Sequence, residues 1–272
     1  MRLISSKDLR CGDVVVCGDS RVSVCTTQNY QSLVMNKIGL STIPVLTLGE
    51  TNTMISSNED IFDEYIDYWF TLSRSRLPRE VVDSVRHEVC NSMYMIREEL
   101  YPLLLLKNMH PNTFRHCVDV MIYAVCLNEV LCVGDVTKIS IGGIFHDVGK
   151  LKIPNEVLRK PSKLTEAEFE EIKQHPIYGY EIMEGKLDID ILRIIRYHHL
   201  YKDYTGYPEE PYKVPEIIQL VTICDIFDAV VSKRSYHNAK PTSTGIDVLR
   251  RDAEKGKLNK DFVLCLERML NM

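Results

Sequence analysis

Two hydrophobic rhythms divide the chain. Up to about residue 50 the apolar positions come in short β-branched runs. "DVVVCGDSRVSVC" sets Gly18-Asp19 between two of them and predicts a hairpin. "YQSLVMNKIG" predicts a short helix closed by Gly39, and "TIPVLTL" a further strand. The polar, Ser- and Asn-rich stretch "GETNTMISSNED" then reads as a linker.

From Ile61 the rhythm changes to steps of three and four. Val82, Val85, Val89, Met93, Ile96 and Leu100 mark one amphipathic helix near 79–101. Another is predicted from Thr113 to about Glu129, and "TKISIGGIFHDVG" as a third, stopping at Gly149. "TEAE" at Thr165 to Glu168 is a capping box for a helix ending near His175. Pro176 suits the first turn of the next helix and Gly185 its end. Helices near 188–199, 215–231, 244–255 and 260–270 follow. The expectation is a mainly α chain: a small α/β module with its linker over residues 1–60, then a helical domain over 61–272.

Composition narrows the function classes. A hydrophobic content of 45% and a charged content of 26% are those of a soluble globular protein. The formal charge of -5 argues against a partner that is a nucleic-acid polymer, which calls for a basic face. A small anionic substrate stays open, because bound cations reverse a local field. The nine cysteines are scattered, without a C-x-x-C pair. Cys117, Cys126 and Cys224 lie in apolar helical runs and read as small hydrophobes; Cys11, Cys17 and Cys25 read as strand-packed thiols. The start of the chain has no apolar signal core, and its longest purely aliphatic run, Leu103 to Leu106, cannot span a bilayer. A cytoplasmic protein is expected.

The candidate chemistry lies in the helical part. In "GIFHDVGK", His146 and Asp147 end an apolar helix, where an unpaired imidazole and carboxylate cost several kcal/mol of desolvation. Alone, the pair reads as a structural helix end. Yet Ile191, Ile195 and His198 share one stripe, so a histidine continues a face due for burial. Ile218, Val221, Asp225 and Asp228 share another, which ends in acids. A further helix ends at His175, and one begins near His116. Convergence on a metal site explains these anomalies together. The donors are nitrogen and carboxylate oxygen without thiolate, which suits iron or manganese at least as well as zinc. A carboxylate bridging two cations is typical of hydrolytic sites acting on phosphate esters.

"HDVGK", "KPSKLTEAEFEEIKQHPIYGYEIM", "YHHLYKDYTGYP" and "CDIFDAVVSKRSYH" together resemble the HD-GYP subgroup of the HD phosphohydrolase superfamily, from about His116 onward. The resemblance implies a helical bundle around two divalent transition-metal ions, iron or manganese, with zinc or nickel as alternatives. His116, His146, Asp147 and Asp225 would hold one ion; Asp147 would bridge, and His175, His198 and His199 would hold the second. It implies hydrolysis of cyclic di-GMP to pGpG or GMP by a hydroxide between the ions, with Asp147 and Lys150 as catalytic residues. Lys150, Tyr207 and Arg234 would contact substrate. The alternatives are a decayed nucleotide-sensing or partner-binding module and a hydrolase of another cyclic dinucleotide. The front module would be regulatory or dimerising, which admits a homodimer or a signalling partner.

This chain departs from the subgroup at several points. Leu200 stands where a Glu usually follows the two histidines, and Tyr204-Thr205 where Gly-x usually precedes Gly-Tyr-Pro. The segment from Pro208 to Pro215 is short, and His237 replaces a second basic residue. Asn112 takes the place of a Glu that holds a third metal in some relatives, so two metals are expected even though Asp228 is present. These differences bear on substrate preference and turnover more than on metal binding.

Overall fold

A computed structural model describes residues 2–5, 9–10, 13–16, 22–25, 42–232 and 239–271. The early β-branched runs pair as one antiparallel sheet. Its strands are β1 (Arg2–Ser5), β2 (Val14–Val16), β3 (Val22–Val24) and β4 (Thr42–Val45), in the order β1-β4-β2-β3. β2 pairs with β3 as the hairpin pattern predicts, Val15 opposite Ser23. Val14, Val15 and Val45 are buried, as is the Cys25 thiol. The Gly18-Asp19 turn, the helix expected over 30–39 with Gly39, and Cys11 and Cys17 lie outside the described residues.

The stretch expected as a linker is a helix, α1 (Leu48–Ser57). Thr47 and Glu50 form a capping box there, so β4 ends at Val45 and the chain turns straight into the helix. The polar composition is misleading because hydroxyls bond back along the helix: Thr53 to the Gly49 carbonyl, Ser57 to that of Thr53. Thr51 and Ile55 supply the buried face. Asn58 caps α2 (Glu59–Leu72), which buries Phe62, Tyr65, Ile66, Trp69 and Phe70. Each side chain of that size contributes about 1.5–3 kcal/mol by leaving water.

The chain falls into two compact units, Met1–Ser73 with Tyr94–Leu105, and Arg74–Met93 with Leu106–Met272. The helix expected over 79–101 is broken. It becomes α3 (Arg79–Ser84), α4 (Arg86–Tyr94), a 3₁₀ turn (Arg97–Glu99) and the start of α5 (Tyr101–Met109). Val85 leaves helical geometry at φ -91° and ψ 1°. Val82, Val85, Val89, Met93 and Leu100 are buried as the periodicity predicts. Apolar spacing reports burial, and a chain can keep it across a kink.

In the second unit α6 (Pro111–Leu131) is the central helix, buried from Phe114 to Asn128 except at Arg115. Against it pack α7 (Val136–Phe145), α12 (Glu216–Val231) and α14 (Lys260–Leu270). α7 also meets α11 (Ile189–Tyr197), and α13 (Thr242–Glu254) joins α12 to α14. Between α7 and α11 come a 3₁₀ turn (Val148–Lys152), α8 (Asn155–Leu158), α9 (Glu166–Ile172) and α10 (His175–Met183). The Thr165 capping box forms, Pro176 lies in the first turn of α10, and Gly185 follows its end at φ 75°.

Two expected helix ends are displaced. α9 ends at Ile172, and His175 opens α10 instead of closing its predecessor. α7 ends at Phe145, so Gly149 is not its cap. A Cβ on Gly149 would lie 1.9 Å from the His175 carbonyl oxygen and 2.4 Å from the Gly179 nitrogen. Glycine is required there by the approach of two backbones, which brings the His146-Asp147 corner against the start of α10.

Candidate metal centre

Five places in the second unit deliver side chains to one point. The first two turns of α6 bring His116, and the corner after α7 brings His146 and Asp147. The start of α10 brings His175, the end of α11 His198 and His199, and the middle of α12 Asp225. All but His199 are buried, and His199 is only partly exposed. His175, His198 and His199 offer ligand atoms within 4.8 Å of one another, as do His116, His146 and Asp225, and Cys117, His146 and Asp147. The seven residues expected as ligands are therefore together. Cys117, expected as a plain hydrophobe, brings a thiol within the same reach.

The hydrogen bonds behind the rings set their tautomers. Nδ1 of His146 lies 2.8 Å from the Gly143 carbonyl, that of His175 2.7 Å from Ile172, and that of His198 2.8 Å from Ile195. A carbonyl only accepts, so each Nδ1 carries the proton and each Nε2 presents a lone pair. Asp228 does the same for His116, its Oδ2 2.6 Å from Nδ1. Ser232 in turn donates to Asp228 Oδ1 at 2.8 Å.

The lone pairs converge. His116 Nε2 is 2.9 Å from Asp225 Oδ1, and His175 Nε2 is 3.2 Å from His198 Nε2. His175 Nε2 also lies 3.1 Å from Asp147 Oδ1, and His146 Nε2 is buried without a hydrogen-bond partner. Acceptors facing acceptors in a dry pocket repel unless a cation or proton lies among them. Nitrogen and carboxylate donors so placed fit divalent metal ions.

The electrostatics point the same way. Burial opposes charge on Asp147, yet Lys150 and His146 hold its carboxyl well below the ordinary range. Burial likewise opposes charge on Asp225, and the His116 contact outweighs it. Both acids are anions. Burial pushes the imidazoles of His175 and His198 down, that of His198 far down, and that of His199 to about 3. These three rings are neutral at pH 7, the form that binds metals. Burial also opposes charge on His146, but Asp147 and Asp225 carry its pKa up.

Lys150, one turn beyond Asp147, has its Nζ 2.5 Å from Asp147 Oδ2. Tyr207 lies over the site, its ring 4.6 Å from that of His199 and 6.2 Å from that of His175. Gly206 at φ 104° makes this turn and lies close against His199: a Cβ would lie 2.1 Å from the His199 carbonyl oxygen, to which Tyr207 N–H donates at 3.1 Å. Leu200 is buried and bridges to Gly206 across the turn. Asn112 is exposed and accepts from Arg115 at 3.0 Å. Arg234 and His237 lie outside the described residues.

A family model for the HD domain matches residues 113–232. A cyclic di-GMP phosphodiesterase of Pseudomonas aeruginosa is 29% identical over 175 residues, 61% of this chain and 41% of its own. A 3′3′-cGAMP-specific phosphodiesterase of Vibrio cholerae is 28% identical over 167 residues, 60% of this chain and 36% of its own. The chain thus spans about two fifths of the length of these curated relatives. A solved structure of an HDG"Y"P protein from Bdellovibrio bacteriovorus shares the fold, with a TM-score of 0.56 at 15% identity, over 100% of this chain and 99% of its own. The segment that matches the HD-domain model, residues 113–232, holds the histidines and aspartates of the centre.

Proposed function

We propose that this chain is a metal-dependent phosphodiesterase acting on cyclic di-GMP, with two divalent ions, iron or manganese, at the centre. The observation that carries the reading is the convergence of imidazole lone pairs and two anionic carboxylates in one buried place. His116, His146, Asp147 and Asp225 would hold one ion, and His175, His198 and His199 the other, with Asp147 between them. Bound there, two divalent ions lower the pKa of a water to make a nucleophile and neutralise charge growing on phosphorus.

The chain's own groups do the rest. The backbone carbonyls and Asp228 keep the rings in the ligating tautomer and prevent rotation. The Lys150 ammonium, at the edge of Asp147, faces the negative charge of a phosphodiester and can donate a proton to the departing 3′ oxygen. Tyr207 offers an aromatic face beside His199, on which a substrate ring can stack. Arg234 is assigned to a phosphate oxygen, since a guanidinium fork matches two acceptors. The front unit is assigned a regulatory or dimerising role.

Protein purified without oxygen and loaded with manganese or iron is expected to convert cyclic di-GMP to pGpG or GMP. Asp147→Ala should lose both turnover and bound metal, read by chromatography and elemental analysis. A saturated sample holding two metals that leaves the dinucleotide intact sinks the assignment. A second reading, 3′3′-cGAMP as a substrate, rests on the 28% identity over 60% of this chain to a relative named for that dinucleotide. Turnover of the two side by side separates them.

A further inference from the structure

The half of the centre assigned to the second ion is assembled from three pieces of chain. His175 opens α10, His198 and His199 follow the end of α11, and Tyr207 lies over His199. One half-buried side chain joins all three pieces. Arg196, in the last turn of α11, donates through Nη2 to Glu210 Oε1 at 2.5 Å. Its guanidinium carbon lies 5.4 Å from the ring centre of Tyr180 on α10, and 5.6 Å from that of Tyr197 on α11. A cation within about 6 Å of an aromatic ring centre is attracted to its face.

Glu210 belongs to the same loop as Tyr207. Its other carboxylate oxygen, Oε2, accepts from the Tyr197 hydroxyl at 2.7 Å. The loop is tied to itself on both sides of Glu210. The Glu210 N–H donates to the Pro208 carbonyl at 2.9 Å, and its carbonyl accepts from Tyr212 N–H at 2.8 Å. The Tyr212 ring then stacks on that of Tyr197, 4.2 Å away and 16° from parallel. Both carboxylate oxygens and a stacked ring thus hold the loop to the last turn of α11, immediately before His198. Taken only as a surface ion pair, Arg196 and Glu210 would add little stability. What their contacts fix is geometry, because Tyr207 stays over His199 only while the loop beyond it is held.

We propose that Arg196 and Glu210 are positioning residues that clamp α10, α11 and the Tyr207 loop together. The clamp keeps Tyr207 on His199 and the three imidazoles at their spacing. The inference rests on the two-ion reading of the centre and is independent of which nucleotide it takes. It also gives the short segment from Pro208 to Pro215 a task of its own.

Nitrogen-15 NMR of the histidine rings, in the full chain with and without zinc, tests the clamp without turnover. Single histidine substitutions assign the signals, and circular dichroism checks folding. In Arg196→Met and Glu210→Ala the His199 signals are expected to move toward those of Tyr207→Ala, while the His116 and His146 signals stay. Competition with a chelator should show one of two zinc ions bound about 3–30-fold more weakly. Because the residues act as a pair, the double variant should do no more than the larger single change. Glu210→Gln, which still accepts hydrogen bonds, should recover part of the loss. Wild-type His199 signals in both folded single variants overturn the clamp. Equal shifts on every ring do the same, as does a double variant that sums the single effects. A wild type that takes up fewer than two zinc ions sinks the two-ion reading instead, and the ring spectra of the metal-free chain still decide the clamp.

Discussion

At the scale of single residues, the buried acids of the second unit show how chemistry separates from packing. Asp119, Asp225 and Asp228 are all buried on helices. Asp119 accepts the Arg74 backbone N–H at 2.8 Å and so ties a chain crossing in place. Asp225 faces an imidazole lone pair, and Asp228 holds the proton of the same ring from behind. Asp228 therefore acts through His116. Removing such an orienting partner costs about 10–100-fold in metal affinity. Asp228→Ala is expected to bind metal that much more weakly, measured by competition with a chelator, while Asp228→Asn, which can still accept from Nδ1, recovers part of the loss. Equal affinity for all three proteins would remove Asp228 from the centre.

Leu200 teaches a different lesson. Compared with the subgroup pattern it looks like a lost acid, yet its side chain is buried in the core and its backbone bridges to Gly206. Restoring the familiar residue should thus do harm. Leu200→Glu would bury an unpaired carboxylate, and stability is expected to fall by about 2–5 kcal/mol, read from the urea midpoint. A stable Leu200→Glu variant with faster turnover would show that the position belongs to the active site after all.

At the scale of elements, the helices of the second unit from α9 to α14 are readable because most carry a start signal and an apolar stripe of their own. α9 and α10 begin where Thr165 and Pro176 signal, α11 falls within its expected bounds, and α12 to α14 fall within two residues of theirs. The convergence of the proposed ligand side chains is readable for a related reason: histidine and aspartate on faces due for burial are costly unless they meet a partner. What one residue string does not carry is who approaches whom. Gly149 looks like a helix cap and is instead a contact between backbones. The polar α1 looks like a linker because its hydroxyls bond internally.

Gly206 gives this scale its own prediction. The turn is held by Tyr201 N–H to the Thr205 carbonyl at 2.8 Å and Tyr207 N–H to the His199 carbonyl at 3.1 Å. Alanine at Gly206 would meet both an unfavourable φ and a clash with that same His199 carbonyl. The turn can relieve this only by moving away from His199 or by shifting it. Gly206→Ala is expected to cost about 1–3 kcal/mol locally and to weaken the metal bound by His199, with the helical circular dichroism unchanged. Elemental analysis at limiting metal reads the effect, and unaltered uptake would show that the turn and the ring are independent.

For the whole molecule, the centre is also a joint. Its proposed ligands come from α6, the corner after α7, α10, α11 and α12, so a cation bound there would tie together elements spread across the second unit. Without metal, that unit must keep anionic Asp147 and Asp225 beside imidazole lone pairs in a dry interior. With metal, the repulsion becomes attraction, and binding to the folded form alone stabilises it by mass action. At a free metal concentration near a hundred times Kd this amounts to about 2.7 kcal/mol. A unit of this size responds by about 2–4 °C per kcal/mol, so chelation should lower its melting temperature by about 5–10 °C, and manganese should restore it. Because the chain divides into two compact units, scanning calorimetry, able to resolve more than one transition, is the right measurement. The transition that moves with metal should be the one lost in Asp147→Ala titrations. If chelation and manganese leave every transition in place, the acids and imidazoles are satisfied by protons alone, and the metal reading of the centre fails along with the hydrolytic one.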